Sequence, residues 1–161
     1  IFTSDPGSHF GEPFIWGKVT LFDIGAKVPF IVRAPGLSKS GTTSEAMVEL
    51  IDVYPTLADL AGLKAPGHLQ GSSLRPLLGN PERMGKKKYA YSVVTRGPKN
   101  LGYALRNQNW RYGKWPDGEE LYNLRNDPQE KNNLVQKEHL KERLEELRNI
   151  LANKQKLIIP K

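Results

Sequence analysis

GYALRNQNWRYGKWPDGEELYNL, residues 102–124, sets large apolar side chains between polar ones on both sides of a Pro116-Asp117-Gly118 turn. Tyr103, Trp110, Tyr112, Trp115 and Tyr122 supply the aromatic content that favours a pleated, half-buried surface, and the turn triplet marks where the chain reverses. With YAYSVVT at 89–95 upstream, the pattern predicts a small antiparallel sheet of three or four strands.

Downstream, Leu140, Leu144, Leu147 and Leu151 fall at spacings of four, three and four among charged residues. That stripe predicts one amphipathic helix over 136–154, packed on the small sheet.

Upstream the pattern changes. Ile1-Phe2-Thr3-Ser4 has strand composition and stops at Asp5-Pro6-Gly7, so Asp5 lies just past a strand end, where open α/β sheets gather ligands. A glycine-rich loop to Lys18 follows, and KVPFIVRAPG at 27–36 predicts a strand buried on both faces. In MVELIDVYPTLADLAGL, 47–63, Asp52 suits an N-cap, Pro55 the first turn and Gly62 the C′ position, with Leu57, Leu60 and Ala61 as the buried stripe. A loop-rich stretch with a short apolar turn at 74–78 ends in the basic run ERMGKKK, 82–88, and a boundary is expected near residue 85. The division expected is therefore 1–85 and 86–161, in an α/β chain.

The 161 residues carry 24 Lys and Arg against 17 Asp and Glu, a formal charge of +7 that favours polyanionic ligands without specifying nucleic acid. There is no cysteine, which excludes disulfides, thiolate metal sites and a cysteine nucleophile within these residues. No apolar run approaches the roughly 20 residues that span a bilayer. The chain opens on Ile1 inside a strand-like run, and the expectation is that its beginning has been lost.

Asp5 in a Ser-Asp-Pro-Gly turn serves either as a turn residue bonding nearby amides or as a carboxylate ligand for a hard cation, with only Glu12 and His9 nearby in sequence to assist. Lys18 is either a solvated lysine or a point charge facing a phosphate or sulfate oxygen, and Trp16 beside it is expected to pack. His9, His68 and His139 show no metal-ligand spacing, and His139 is expected to face solvent. No Gly-x-Ser-x-Gly, Walker, dinucleotide or zinc pattern is present.

Four stretches in order, FTSDPGSHFGEPFIWGKVTLFDIGAKVPFIVRAPG, VELIDVYPTLADLAGL, LQGSSLRPLL, and GYALRNQNWRYGKWPDGEELYNLRNDPQEKNNL, resemble the carboxyl-terminal part of type I sulfatases, nearest the iduronate-2-sulfatase branch. The resemblance covers residues 1 to about 135 and includes a terminal signature of Glu119-Glu120-Leu121-Tyr122, Asn126-Asp127-Pro128, Glu130 and Asn133-Leu134. It implies the end of an alkaline-phosphatase-like α/β fold, with a small antiparallel sheet and terminal helix. It also implies a sulfuric ester hydrolase whose formylglycine nucleophile, made from a Cys/Ser-x-Pro-x-Arg motif, attacks a sulfate ester held by Ca²⁺.

By that resemblance Asp5 matches a metal ligand and Lys18 the lysine that contacts the sulfate. Two positions depart from the family pattern. Pro6 stands where a second metal ligand, His or Asn, is expected, and Pro13 where a histidine near the substrate is common; a proline side chain coordinates nothing. The nucleophile motif is absent from the chain. The expectation is a sulfatase fragment, inactive as residues 1–161 alone, with weakened or lost Ca²⁺ binding, whose substrate is a sulfated sugar or glycosaminoglycan-like polymer, not a nucleic acid. An exported, periplasmic or lysosome-like setting is implied over cytosol. The alternative is a non-catalytic module that binds sulfated polyanions through Lys86, Lys87 and Lys88; a phosphatase or phosphodiesterase of the same superfamily is a third.

Overall fold

The computed structural model describes residues 1–12, 15–97 and 100–158, with side chains to residue 156. Its strands are β1 (Phe2–Thr3), β2 (His9–Phe10), β3 (Trp16–Gly17), β4 (Phe30–Ile31), β5 (Ala90–Thr95), β6 (Leu101–Arg106), β7 (Trp110–Trp115) and β8 (Gly118–Asn123). Its helices are α1 (Asp23–Ala26), α2 (Val53–Leu60), α3 (Arg75–Gly79) and α4 (Lys141–Ile158), with 3-10 turns at Leu50–Asp52 and Glu138–Leu140. The chain divides into two compact units, one of residues 1–3 and 29–90, the other of residues 4–28 and 91–161. That grouping is not the linear cut at residue 85: the Asp5–Lys18 loop belongs with the carboxyl-terminal sheet.

In this second unit β5, β6, β7 and β8 form one sheet in sequence order, as the strand pattern predicts. β7 pairs antiparallel with β6 and β8, and Trp115 faces Gly118 across the two-residue turn Pro116-Asp117. Leu105, Tyr112 and Leu121 are buried, and α4 lies against β6 with Leu144, Leu147 and Leu151 buried, so three leucines of the predicted stripe fill the core. Burying each is worth about 2 kcal/mol. Leu140 falls in the 3-10 turn ahead of α4 and is only half-buried.

The 126–134 segment is tied to the sheet residue by residue. Asp127 accepts hydrogen bonds from the amides of Lys131 (3.1 Å) and Asn132 (2.8 Å). The Asn133 side-chain oxygen accepts from Leu121 N (3.0 Å), its amide group donates to Glu119 O (3.2 Å), and Leu134 N donates to Leu121 O (2.8 Å). The edge of β8 is thereby covered rather than left open to pairing with another chain.

In the first unit β1 pairs antiparallel with β4. The strand expected to be buried on both faces is instead two residues long, with Ile31 exposed while its neighbours are half-buried, so one face is covered and the other is not. α2 ends in a Schellman motif: Leu63 N bonds Ala58 O and Gly62 N bonds Asp59 O, with Gly62 at φ +70°, the C′ role the sequence assigns it. The predicted stripe of α2 is corrected. Leu57 is exposed, Leu60 half-buried and Ala61 exposed, whereas Pro55 and Thr56 are buried. The Thr56 hydroxyl donates to Asp52 O (2.6 Å) and accepts from Leu74 N (2.9 Å), and this turns the Thr56 side of the helix inward.

Asp52 stands at the N-cap position of α2, but its side chain makes no capping bond to that helix. Its carboxylate, 1% exposed, accepts from Glu49 N (2.9 Å) and Ser72 N (2.8 Å) and pairs with Lys87 Nζ (2.7 Å), which also pairs with Glu49. Lys87 is therefore committed inside the fold and is not part of an open basic patch. Lys88 lies 5.5 Å from the centre of the Tyr89 ring. No helix among the described residues is long and apolar enough to cross a membrane.

Candidate functional site

The site is built from the loop that the sequence singles out. After Asp5 and Pro6, Gly7 N donates to Gly25 O (2.9 Å), laying the turn directly on α1. A Cβ on Gly7 would lie 2.0 Å from Ile24 O, so only glycine allows this approach. β2 and β3 then form a two-residue antiparallel ribbon with His9 opposite Gly17 and Phe10 opposite Trp16. Lys18 follows the ribbon, and its Nζ lies 3.8 Å from Asp5 Oδ1. Thus the fold brings together the two residues the sequence links at a separation of thirteen.

Both are open to solvent, with side-chain exposures of 51% for Lys18 and 79% for Asp5, so their mutual attraction contributes little stability. What the pair offers is adjacent, accessible charge of opposite sign. Pro6, at the expected second-ligand position, adds no side-chain donor. Among the described residues no group of three or more His, Asp or Glu could hold a metal. Ca²⁺ takes 6–8 oxygens, and the Asp5 carboxylate, part of no such group among the described residues, does not make such a site by itself.

His9 does not compensate for Pro6. It is 1% exposed, its Nδ1 donates to Glu12 O, and its Nε2 lies 2.7 Å from Thr20 Oγ1. Both ring nitrogens are spent. Glu12 is also engaged locally, accepting from Phe10 N (3.0 Å), and this bond holds its carboxyl below the usual range. Trp16 is a correction: rather than packing, it is 76% exposed on the ribbon, across from an exposed Phe10. Pro13 lies outside the described residues. His139 is exposed, as expected.

Sequence reasoning missed the groups that hold this loop in place. Asp23, the first residue of α1, receives Arg106 on its carboxylate (3.0 Å) and donates its N–H to Glu130 Oε2 (2.6 Å). Glu130 also pairs with Arg111, whose guanidinium is sandwiched between Phe22 (4.6 Å) and Tyr122 (4.7 Å) and bonds Glu120 (3.0 Å). Burial pushes the Glu130 carboxyl up while Arg111 pulls it down. Glu130 takes φ +54°, an uncommon conformation for a side chain of this kind, which these bonds over-determine. The only sequence signal was Glu130's place in the terminal signature.

The family model for N-sulphoglucosamine sulphohydrolase, C-terminal, matches residues 11–157. The N-acetylglucosamine-6-O-sulfatase of Bacteroides thetaiotaomicron is 31% identical over 97% of this chain and 30% of its own length. A protein solved in complex with its substrate, D-glucosamine-2-N,6-O-disulfate, superimposes with a TM-score of 0.89 at 30% identity, over 96% of this chain and 33% of that one. The phosphonate monoester hydrolase of Silicibacter pomeroyi superimposes with a TM-score of 0.82 at 27% identity, over 95% and 34%. The chain belongs to the sulphohydrolase C-terminal family, the carboxyl-terminal part of type I sulfatases, and has the corresponding mixed α/β, alkaline-phosphatase-like fold. It spans about a third of the length of the relatives it matches.

Proposed function

We propose that this chain is the carboxyl-terminal part of a sulfatase that hydrolyses sulfate esters of sulfated sugars, with Lys18 contacting the sulfate and Asp5 supplying one carboxylate to a hard-cation sphere, Ca²⁺, completed by residues outside the chain. The observation that carries this is the adjacency of Asp5 and Lys18 on a loop anchored by α1, in a chain of a sulfatase family. Hydrolysis of a sulfate ester builds negative charge on the departing and sulfuryl oxygens. A preplaced ammonium stabilises that charge without reorganising at the moment of reaction. Lys18 can supply it, being accessible and positioned by the ribbon. As residues 1–161 alone the chain lacks a nucleophile and is inactive in this reading.

The test is sulfate release by the whole protein that carries this chain, offered D-glucosamine-2-N,6-O-disulfate, an iduronate-2-sulfate disaccharide and a phosphonate monoester. Release from a sulfated sugar supports the reading, and the iduronate substrate decides the finer branch assignment. Hydrolysis of the phosphonate alone overturns it. A Cys- or Ser-x-Pro-x-Arg motif in the reading frame upstream of Ile1 is the expected companion.

The alternative, a module that binds sulfated polyanions through Lys86–Lys88, is weakened by Lys87, whose ammonium is held by Glu49 and Asp52.

A further inference from the structure

Lys18 sits between two residues in the left-handed region: Gly17 at φ +99° and Val19 at φ +68°. For glycine this is unstrained, but a β-branched valine there is a genuine outlier and persists only where surroundings hold it. The restraints on both sides of the outlier converge on one residue. His9 faces Gly17 through the β2–β3 ribbon, and its Nε2 lies 2.7 Å from the hydroxyl of Thr20, which is 3% exposed. Four consecutive residues, Gly17 to Thr20, are thus closed on His9 at each end.

The imidazole is itself fixed. Glu12 O can only accept, so Nδ1 carries a hydrogen, and in the neutral ring Nε2 accepts from the Thr20 hydroxyl. Phe22 meets the ring edge-on at 5.9 Å between centroids. Space for the hydroxyl is provided by Gly25, where a Cβ would lie 2.4 Å from Thr20 Oγ1. From the far side Arg96, its guanidinium 4.9 Å from the Trp115 ring, donates to Val19 O (3.2 Å).

We infer that the buried His9–Thr20 pair is a positioning clamp that holds the strained Lys18-Val19 turn and so sets the Lys18 ammonium beside Asp5. His9 and Thr20 touch no reacting group; they act through Lys18. The inference rests on the reading of Lys18 as the sulfate contact, but its geometric core can be judged separately.

The discriminating substitution is Thr20→Val, which keeps the shape and removes the hydroxyl, with Thr20→Ser as the variant that keeps it. In the 161-residue chain, residual dipolar couplings at Val19 and the nuclear Overhauser contact between the Lys18 ε-protons and Asp5 β-protons report the turn directly. Thr20→Val is expected to take Val19 out of the left-handed region and abolish the contact, with the amide shifts of residues 101–151 unchanged and Thr20→Ser like the parent. In the whole protein, Thr20→Val should lower kcat/KM for a sulfated sugar about threefold to tenfold, and Thr20→Ser should restore it. Should Thr20→Val fail to fold, His9→Gln is read by the same couplings with the same expectation. A Thr20→Val or His9→Gln chain with Val19 still left-handed and the Lys18–Asp5 contact intact overturns the clamp, whatever the kinetics. If the turn is lost as expected but Lys18→Ala leaves sulfate release unchanged, the clamp stands as geometry and the reading of Lys18 fails.

Discussion

Glu130 reaches a residue 107 positions earlier in the chain: its carboxylate accepts the backbone N–H of Asp23 at 2.6 Å and at the same time pairs with the buried guanidinium of Arg111. The signature glutamate of the terminal segment is therefore, with the Arg106–Asp23 pair, one of the ties between the small sheet and the short helix on which the Asp5 turn rests.

Removing one partner of that pair leaves a charge without compensation in a site about 1–3% exposed. Arg111→Met is expected to cost about 3–5 kcal/mol of the second unit's stability. Glu130→Gln keeps a hydrogen-bond acceptor for Asp23 and should cost less. Urea unfolding of the chain followed by tryptophan fluorescence, with Trp110 and Trp115 in β7, measures both. Equal stability of Arg111→Met and the parent would contradict the assignment.

Lys87 tests the polyanion alternative by its location. Lys87→Met leaves Asp52 and Glu49 facing each other without their shared cation, and should destabilise the first unit by about 3–5 kcal/mol. Lys86→Gln and Lys88→Gln should cost under about 0.5 kcal/mol, as exposed substitutions do. The measurement is amide exchange over residues 47–60 together with retention on a heparin column. A Lys87 variant that folds like the parent but loses heparin retention would favour the binding module instead.

The second unit should lose stability at both ends of the pH scale, by proton uptake in acid and by proton loss in alkali. The Arg148 guanidinium, bonded to Glu119 (3.0 Å), holds that carboxyl below its usual range, so the stability it adds is present above the ordinary value of 4.5 and lost as pH falls through the lower folded value. Burial pushes Tyr91 and Tyr122 up to about 12, so the neutral phenols' contribution is full below pH 10 and is lost as pH rises towards 12. Thermal unfolding against pH should fall off at both limbs, and Glu119→Gln should flatten the acid limb. An unchanged acid limb in Glu119→Gln would remove Glu119 from the account.

The sheet was legible from its aromatic-rich runs and the Pro116-Asp117-Gly118 turn, and the terminal helix from the four-three-four stripe in Leu140–Leu151; burial in the sheet does not alternate, since Ala104 and Leu105, and then Arg111, Tyr112 and Gly113, are buried in succession. The Asp5–Lys18 pair stands out in the sequence only through family likeness, since Asp5 in a turn and Lys18 in a loop are each ordinary by themselves. What misled was the assumption that apolar runs are covered within the chain. The run at 27–36 gives a two-residue antiparallel strand with Ile31 exposed, and Leu57 faces out because Thr56, a polar residue, carries the bonds that orient α2. Trp16, expected to pack, stands on a two-stranded ribbon too narrow to cover it. Arg111, Glu130, His9 and Thr20 were invisible as a group, since charge and hydrogen-bond pairing between residues far apart in sequence leaves no local pattern.

The most direct test of the central claim is the kcat/KM of Lys18→Ala for sulfate release from a sulfated sugar, measured in the whole protein against the parent. Loss of one preplaced charge at the transition state predicts a fall of about 10²–10³-fold. A Lys18→Ala enzyme that releases sulfate at the parent's rate would show that the lysine beside Asp5 is a surface residue and not the sulfate contact.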